Sequence, residues 1–482
     1  MKRLFNISKY IIGAGVIILA SCKVGGDVNV SPNQSPNVQT GYMLTNAIQF
    51  LGGINGAGAT TNINSFCGEL YSQYMSETFY TNESLFALKQ YDYATYYTGP
   101  LQDLKTIIAT NTDPSKKGLS ATTKFGSNNN QIASARILTA FIYLTITDRW
   151  GDIPYSQALS GISNVTPAFD AQKDIYTALM KELDEAQNQF DGGAALTGDI
   201  LFNGDNTKWK HWANSLHAIM AFRLSKADPT TGKAEYAKAV TGGLMTSNDD
   251  NAVFYFLDAP PNTNPVWVNL VQSGRNDFVP ASTIINLMKG LNDPRLPFYF
   301  TTDPTGKYSG GIPGNGATFS IYSHVTDAQQ APDAPYDILS YAQVEFTKAE
   351  AAERGMNVGG TAQEHYNNAV TASIEEWGGS AAQAATYLAQ PTVNYTTAPG
   401  TYKQKIATQE YIALYNNGFD AWTMVRRLDY PTLPEPTHAL SGFPVRFTYP
   451  ILEQNINTSN YNAGASAIGG DVVETKLFWD KF

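Results

Sequence analysis

Five histidines, His211, His217, His324, His365 and His438, are the only imidazoles among 482 residues. None stands in a His-Glu-x-x-His arrangement. His211 and His217 are six apart, which puts them on different helix faces, so structural or solvated imidazoles are expected and no metal site. The glycine-rich runs Gly52–Gly58 and Gly310–Gly316 lack a following Lys-Ser/Thr pair and a strand-turn-helix setting, which argues against a phosphate cradle. No Gly-x-Ser-x-Gly elbow occurs. Two carboxylates across a sugar could hydrolyse a glycoside, but spacing along the chain does not show the separation such a pair needs. Asn248-Asp249-Asp250-Asn251 offers oxygen ligands without the spacing of a calcium loop, which leaves adventitious surface calcium as the only ion to consider. Arg426-Arg427 reads as a buried pair neutralised by a carboxylate, with Asp420 or Glu410 as partner.

Stacking chemistry is better supplied. The chain has 28 Tyr, 23 Phe and 7 Trp. Tyr and Trp rings lie flat on sugar faces while Asn, Gln, Asp and Arg bond hydroxyls. Two clusters combine these types. One runs from Phe79-Tyr80-Thr81-Asn82 through Tyr91-Asp92-Tyr93, with Tyr80, Asn82, Tyr91 and Tyr93 as candidate ligand contacts. The other lies in 262–276, with Trp267 and Arg275. Helix packing or a protein partner would use the same residues equally well.

The elements that must position these clusters are mostly helices. Leu44, Ile48 and Leu51 mark a first helix, Leu70 and Tyr74 a second, and Leu101, Leu104, Ile107 and Ile108 a third. Residues 130–149 carry apolar residues on two sides, the mark of a helix packed on two sides. Phe169-Asp170 reads as a helix start with Asp170 as N-cap, followed by the stripe Ile175, Leu179, Leu183, Ala186, Phe190. Trp209, Ala213, Leu216, Met220 and Leu224 form the next stripe, and Ala234–Val240 a shorter helix. In 246–335 the 3.6-residue period fades, so this is read as a loop-rich insert with short strands and one helix near 281–288. Periodicity returns at 337–354, beginning with Leu339, then around Tyr366–Trp377, over 403–416, and in a short helix with Phe419, Trp422 and Val425. The expected class is all-α: tetratricopeptide-like helix pairs with long irregular loops and a few short strands.

The amino terminus sets the address. Lys2 and Arg3 precede a short apolar run, Ile11–Ala20, that leads to Leu19-Ala20-Ser21-Cys22. This layout fits a secretory signal peptide over 1–21. Its end resembles the lipobox of bacterial lipoproteins, which makes Cys22 the lipidation site and 22–38, rich in Gly, Asn, Ser and Pro, a lipidated tether. Residues 39–482 are then a single domain. The whole-chain charge of -10 becomes more acidic once Lys2, Arg3 and Lys9 leave with the signal. That balance argues against nucleic acid and against electrostatic docking on anionic lipid, so the membrane is reached through the anchor only. Cys67 is the one other cysteine, so the fold depends on its core and not on disulfides.

Several stretches together resemble one family, the SusD/RagB-type outer-membrane lipoproteins. They are Tyr143–Tyr155 with Asp148-Arg149-Trp150-Gly151-Asp152; Trp209-Lys210-His211-Trp212-Ala213-Asn214-Ser215-Leu216 running on to Arg223-Leu224-Ser225; and Asn292-Asp293-Pro294-Arg295. Ser340–Gly355 with Glu345-Phe346 and Ala349-Glu350-Ala351, Gly418–Pro431, Arg446–Pro450 with Glu453 and Asn455, and Trp479-Asp480 complete the set. The order is right and nearly the whole chain is covered. Gln343, where an acidic residue is frequent, and Leu428, where Thr is common, depart from the pattern.

The resemblance implies a SusD-like fold with four helix pairs and no catalytic residue. It implies a lipid-anchored protein on the extracellular face of the outer membrane. There it would bind an oligomeric nutrient, glycan foremost and peptide as an alternative, and deliver it to a SusC-like TonB-dependent barrel transporter. The family's sugar sites include contacts from the comparable early loop, where Tyr80 lies. The rival readings are a surface enzyme that degrades glycan or peptide and a structural lipoprotein with no small ligand.

Overall fold

Helix α1 spans Thr40–Leu51 and buries Leu44, Ile48 and Leu51, the stripe expected of it. It opens the body of the protein in a computed structural model that describes residues 39–53, 67–87 and 91–480. The expected signal peptide, Cys22, the expected tether and most of the first glycine-rich run lie outside the described residues. The fold is mostly helical, with 53% helix against 5% strand. Among the described residues no helix is long and apolar enough to cross a membrane.

The second expected helix is shorter than its pattern suggested. Helix α2 covers only Cys67–Tyr71. Gln73, at φ 54°, turns the chain so that Tyr74 leads into strand β1, Met75–Glu77. Helix α3, Gln102–Thr112, follows a π-turn at Tyr97–Leu101. Helix α4, Asn128–Trp150, is buried on several sides, as its two stripes required. Ser127 caps its start by accepting from Asn130 N, and Gly151 at φ 90° ends it.

The expected helix start at Phe169-Asp170 is corrected. These two residues form strand β3, paired antiparallel with β2, Ile153–Pro154. The Asp170 carboxylate accepts from the backbone N–H groups of Tyr155 and Ser156 instead of capping a helix. The first N–H of helix α5, Gln172–Gln189, is satisfied by Asp152 Oδ1 at 2.8 Å. The cap thus came from across a hairpin, which local spacing does not report.

Helix α6, Asn206–Ala227, is capped by Asp205 and buries nearly every residue from Trp212 to Ser225. Helix α7 begins earlier than expected and runs Pro229–Gly242, with Pro229 in its first turn and Asp228 accepting from Thr231 N. The insert holds strands β4, Ala252–Phe254, and β5, Phe278–Pro280, then helix α8, Ser282–Leu291. Strand β6, Tyr336–Leu339, pairs with β4, so Leu339 belongs to a strand and not to the following helix. Helices α9, Tyr341–Glu353, and α10, Ala362–Glu376, come next.

Helix α11, Ala381–Leu388, escaped the sequence pattern because it buries only Ala384 and Tyr387. Helix α12, Tyr402–Ala413, stops before the expected residue 416, since Asn416 adopts φ 68°. Helix α13 is Gly418–Leu428. Helices α14, Ile451–Ile456, and α15, Thr458–Ile468, are not among the expected helices; between them they bury only Gly464, so they carry no stripe to read. Consecutive helices pack in pairs, α4 on α5, α6 on α7, α9 on α10 and α12 on α13.

The pairs are locked by buried polar nodes at the motif positions. Asp148 accepts from Arg223 Nη1 (2.5 Å), Tyr176 Oη (2.5 Å) and Trp479 Nε1 (3.2 Å), which ties α4, α5, α6 and the carboxy-terminal segment. Arg295 donates to Asp293, Ser373 and Gln409 with no exposure at all. Of the arginine pair, Arg427 meets Glu350 and lies 3.9 Å from Glu410, one of the two expected partners. Among the described residues Arg426 has no carboxylate at ion-pair distance; its acceptors are the carbonyls of Trp422, Asp148 and Val445 and the Thr423 hydroxyl. The buried-pair expectation therefore applies to Arg427 only.

Helices α2 and α13 touch backbone to backbone: a Cβ on Gly418 would meet Glu69 N at 2.3 Å. Glu69 is sealed beneath this crossing and accepts from Gly418 N at 2.8 Å. Burial pushes its carboxyl up to about 8, against a weaker opposite pull from that bond. A carboxyl with a raised folded-state pKa contributes stability that is full below about 4.5 and is lost as pH rises towards 8. Glu69→Gln is therefore expected to lose less stability between pH 5 and pH 8 than the parent, by ~1 kcal/mol per pH unit. Denaturant titrations across that range would show it; parallel profiles would rule out an ionising Glu69.

Candidate functional site

The early aromatic cluster is built on the edge of a small sheet. Strand β1 pairs antiparallel with β5, Met75 opposite Pro280 and Glu77 opposite Phe278. The ladder continues past the strand, with Thr78 N donating to Asp277 O (2.8 Å) and Thr78 Oγ1 to Asn276 O (2.6 Å). The chain then turns outward and presents Phe79 and Tyr80, 73% and 68% exposed. Pairing to β5 brings Arg275 alongside: its guanidinium carbon lies 5.6 Å from the Tyr80 ring centre, while its Nε is held by Asp277 at 2.5 Å. Asn82 is exposed on the next turn, whose geometry is fixed by Glu77 accepting from Ser84 N at 2.9 Å.

The second glycine-rich run, unsuited to phosphate, supports this corner. Ala317 N donates to Thr78 O, and Gly316 at φ 70° passes so close that a Cβ there would sit 3.0 Å from that same oxygen. Ser76 Oγ donates to Ile312 O, and Ile312 is 56% exposed beside the sheet. Sequence reasoning missed Ile312 as part of this face. Its only signal was an aliphatic residue within a glycine-rich run.

The other candidates are placed differently. Tyr93 is 3% exposed and packs edge-on to Trp150 at 5.4 Å between ring centres, so it is a core residue here and offers no surface to a ligand. Tyr91 is partly buried with its ring 4.4 Å from that of Phe447. Burial pushes both phenols well above the usual range. Alternation in Tyr91-Asp92-Tyr93 put both rings on one side, and that side faces the core. Trp267 lies half-buried in a single helical turn, Pro265–Trp267, capped by Asn264. No ring contact joins it to Tyr80 among the described residues. The structure thus brings Tyr80, Arg275 and Asn82 to one corner and turns Tyr91 and Tyr93 towards the core, while Trp267 follows Val266, which packs against Met75 and Phe278 of the same small sheet.

His211 meets Asp250, His217 meets Glu235 and His365 meets Glu345, while His324 stacks on Phe319. Asp250 also accepts from Thr246, Asn251 Oδ1 accepts from Tyr341 N, and the Asn251 amide donates to Glu376, so these two side chains are engaged within the fold. Among the described residues no group of three or more His, Cys, Asp or Glu is arranged to hold a metal ion. Asp337 and Glu376 are neighbouring carboxyls; burial pushes the first up to about 6 and the second well above the carboxylate range. They adjoin a crevice of only about 40 Å³, too small for a sugar ring. They face each other between two packed elements.

The comparisons agree on one family. Residues 32–450 match the model of the family described as SusD-like, starch-binding associating with outer membrane. Similar solved structures include a chitin-binding protein, 28% identical with a TM-score of 0.78, covering 92% of this chain and 100% of that one. A chitin-binding SusD homologue from Flavobacterium johnsoniae is 27% identical, with a TM-score of 0.78 over 92% and 98% of the two chains. A SusD homologue from Bacteroides uniformis is 26% identical, with a TM-score of 0.75 over 92% and 100%. A search of curated proteins finds no match.

Proposed function

Because this chain belongs to the SusD-like family of proteins associating with the outer membrane, we propose that it captures an oligomeric glycan at the cell surface without cleaving it. It then hands the glycan to a SusC-like TonB-dependent barrel transporter. In this reading residues 1–21 are the signal peptide, Cys22 carries the lipid, and 22–38 tether the domain to the extracellular face of the outer membrane. An anchor with more than one acyl chain holds such a domain firmly, whereas a single chain would not.

The observation that carries the reading is the Tyr80 corner. A bare aromatic face, an exposed amide and a guanidinium held by Asp277 stand together on loops braced by a sheet. That is what a neutral polyol needs: apolar ring faces for its C–H surfaces and fixed polar groups for its hydroxyls. It requires neither a tuned acid nor a nucleophile. Two similar structures are named for chitin binding, so N-acetylglucosamine oligomers are the first ligands to try.

Titration of the soluble form, residues 23–482, with chito-oligosaccharides is expected to give saturable binding and no new reducing ends. Steady release of shorter products by the purified protein, abolished by a single carboxylate substitution, would replace this reading with an enzyme. Absence of binding across glycan and peptide libraries, with barrel association intact, would replace it with a structural role.

A further inference from the structure

A cavity of about 340 Å³ opens between the end of helix α13 and the carboxy-terminal segment. Its charged lining is Arg426, Asp429, Glu435, Lys476 and Asp480, and Phe86, Leu433 and Phe443 supply apolar wall. It shares no lining residue with the Tyr80 corner.

Arg426 is the unusual member. It is 3% exposed, its guanidinium lies 3.6 Å from the Trp422 ring centre, and its four hydrogen-bond acceptors are all neutral oxygens. A guanidinium carries five N–H groups, so one is left over. Burial lowers its pKa to about 9, which keeps the charge at neutral pH in a desolvated place. Asp148 and Asp480 act on it only through space, and among the described residues none reaches ion-pair distance; a buried charge so placed is costly unless an anion completes it. Lys476 adds a second cation, 3.6 Å from Asp480. Asp429 and Glu435 bring negative charge to the same cavity, and no side-chain bond or ion pair to another described residue engages them.

We propose that this cavity binds the carboxy-terminal end of a short peptide, with its carboxylate on Arg426 and Lys476 and its N–H groups towards Asp429 and Glu435. The polarity fits one ligand class. A simple anion would meet Asp429 and Glu435 as well as Asp480, which already faces Lys476, and a simple cation would meet Arg426. A molecule with a carboxylate at one end and N–H donors at the other satisfies both, and a hydrophobic side chain fits the Phe86–Leu433–Phe443 wall.

The probe is alanyl-leucine, titrated by calorimetry into the soluble protein beside its carboxy-terminal amide and glucuronate. The free acid is expected to bind about tenfold more tightly than the amide, because a charge-assisted bond is roughly twice as strong as a neutral one. Lys476→Gln and Glu435→Gln should each weaken the acid several-fold, and Tyr80→Ala should leave it unchanged. Arg426→Gln should abolish binding in a protein that still melts cooperatively. Both surface variants bear on the proposal even where Arg426→Gln fails to fold. Equal affinity for acid and amide, no binding at millimolar dipeptide, insensitivity to both surface variants, or glucuronate binding as well as the dipeptide would each overturn it. Loss of binding in Tyr80→Ala would move the dipeptide to the glycan face. None of these outcomes bears on glycan capture, so the two readings fail separately.

Discussion

Tyr80→Ala is expected to weaken binding of a chito-oligosaccharide by roughly 10- to 50-fold while leaving the melting profile unchanged. The ring is 68% exposed, so nothing in the fold leans on it. A sugar laid on one face would remove about 60–90 Å² of apolar surface from water, which at ~25 cal/mol per Å² contributes roughly 1.5–2.3 kcal/mol. Tyr80→Phe keeps that face and should retain most of the affinity, losing only a hydroxyl contact. Arg275→Ala should cost less, because a solvent-exposed guanidinium already held by Asp277 gives up little. Calorimetric titration of the three variants decides the matter. Parental affinity in Tyr80→Ala would take the glycan site away from this corner and leave the family and fold untouched.

The second large effect concerns stability. Asp148→Ala is expected to destabilise the protein by roughly 3–5 kcal/mol. Asp148 is 6% exposed and gathers donors from Arg223, Tyr176 and Trp479, three separate elements. Its removal strands the Arg223 guanidinium in a desolvated site and leaves a buried hydroxyl and an indole N–H short of their acceptor. The penalty comes mainly from the orphaned charge. The double variant Asp148→Ala with Arg223→Met should therefore recover part of the loss. Urea unfolding followed by tryptophan fluorescence reads both. A single variant within about 1 kcal/mol of the parent would mean that the node is solvated.

These nodes also explain why the motifs were legible and yet uninformative about ligand. Asp148, Arg223, Arg295, Glu350 and Arg427 are all buried and engaged with one another or with neighbouring helices. The stretches that identified the family hold helix pairs together. The residues that could meet a ligand, Tyr80, Asn82 and Arg275, lie outside every one of those stretches. Their types hinted at stacking, but Tyr91 and Tyr93 gave the same hint and went into the core.

The helical class, the principal helices and the family are all legible in the chain before it folds. Each of those is written in local periods, caps and short motifs that need no knowledge of distant neighbours. Glu364 beside Thr361, Gln383 beside Ser380 and Gln404 beside Thr401 close capping boxes wherever the helices end up. Only the folded chain shows that Phe169-Asp170 is a strand, that Leu339 pairs with Ala252, that Arg426 lines a cavity with its hydrogen bonds on neutral oxygens, and that Arg275 reaches Tyr80 across 195 positions. The reason is physical. Side-chain burial and cross-strand pairing are set by whatever surface arrives opposite, and that surface comes from another part of the chain.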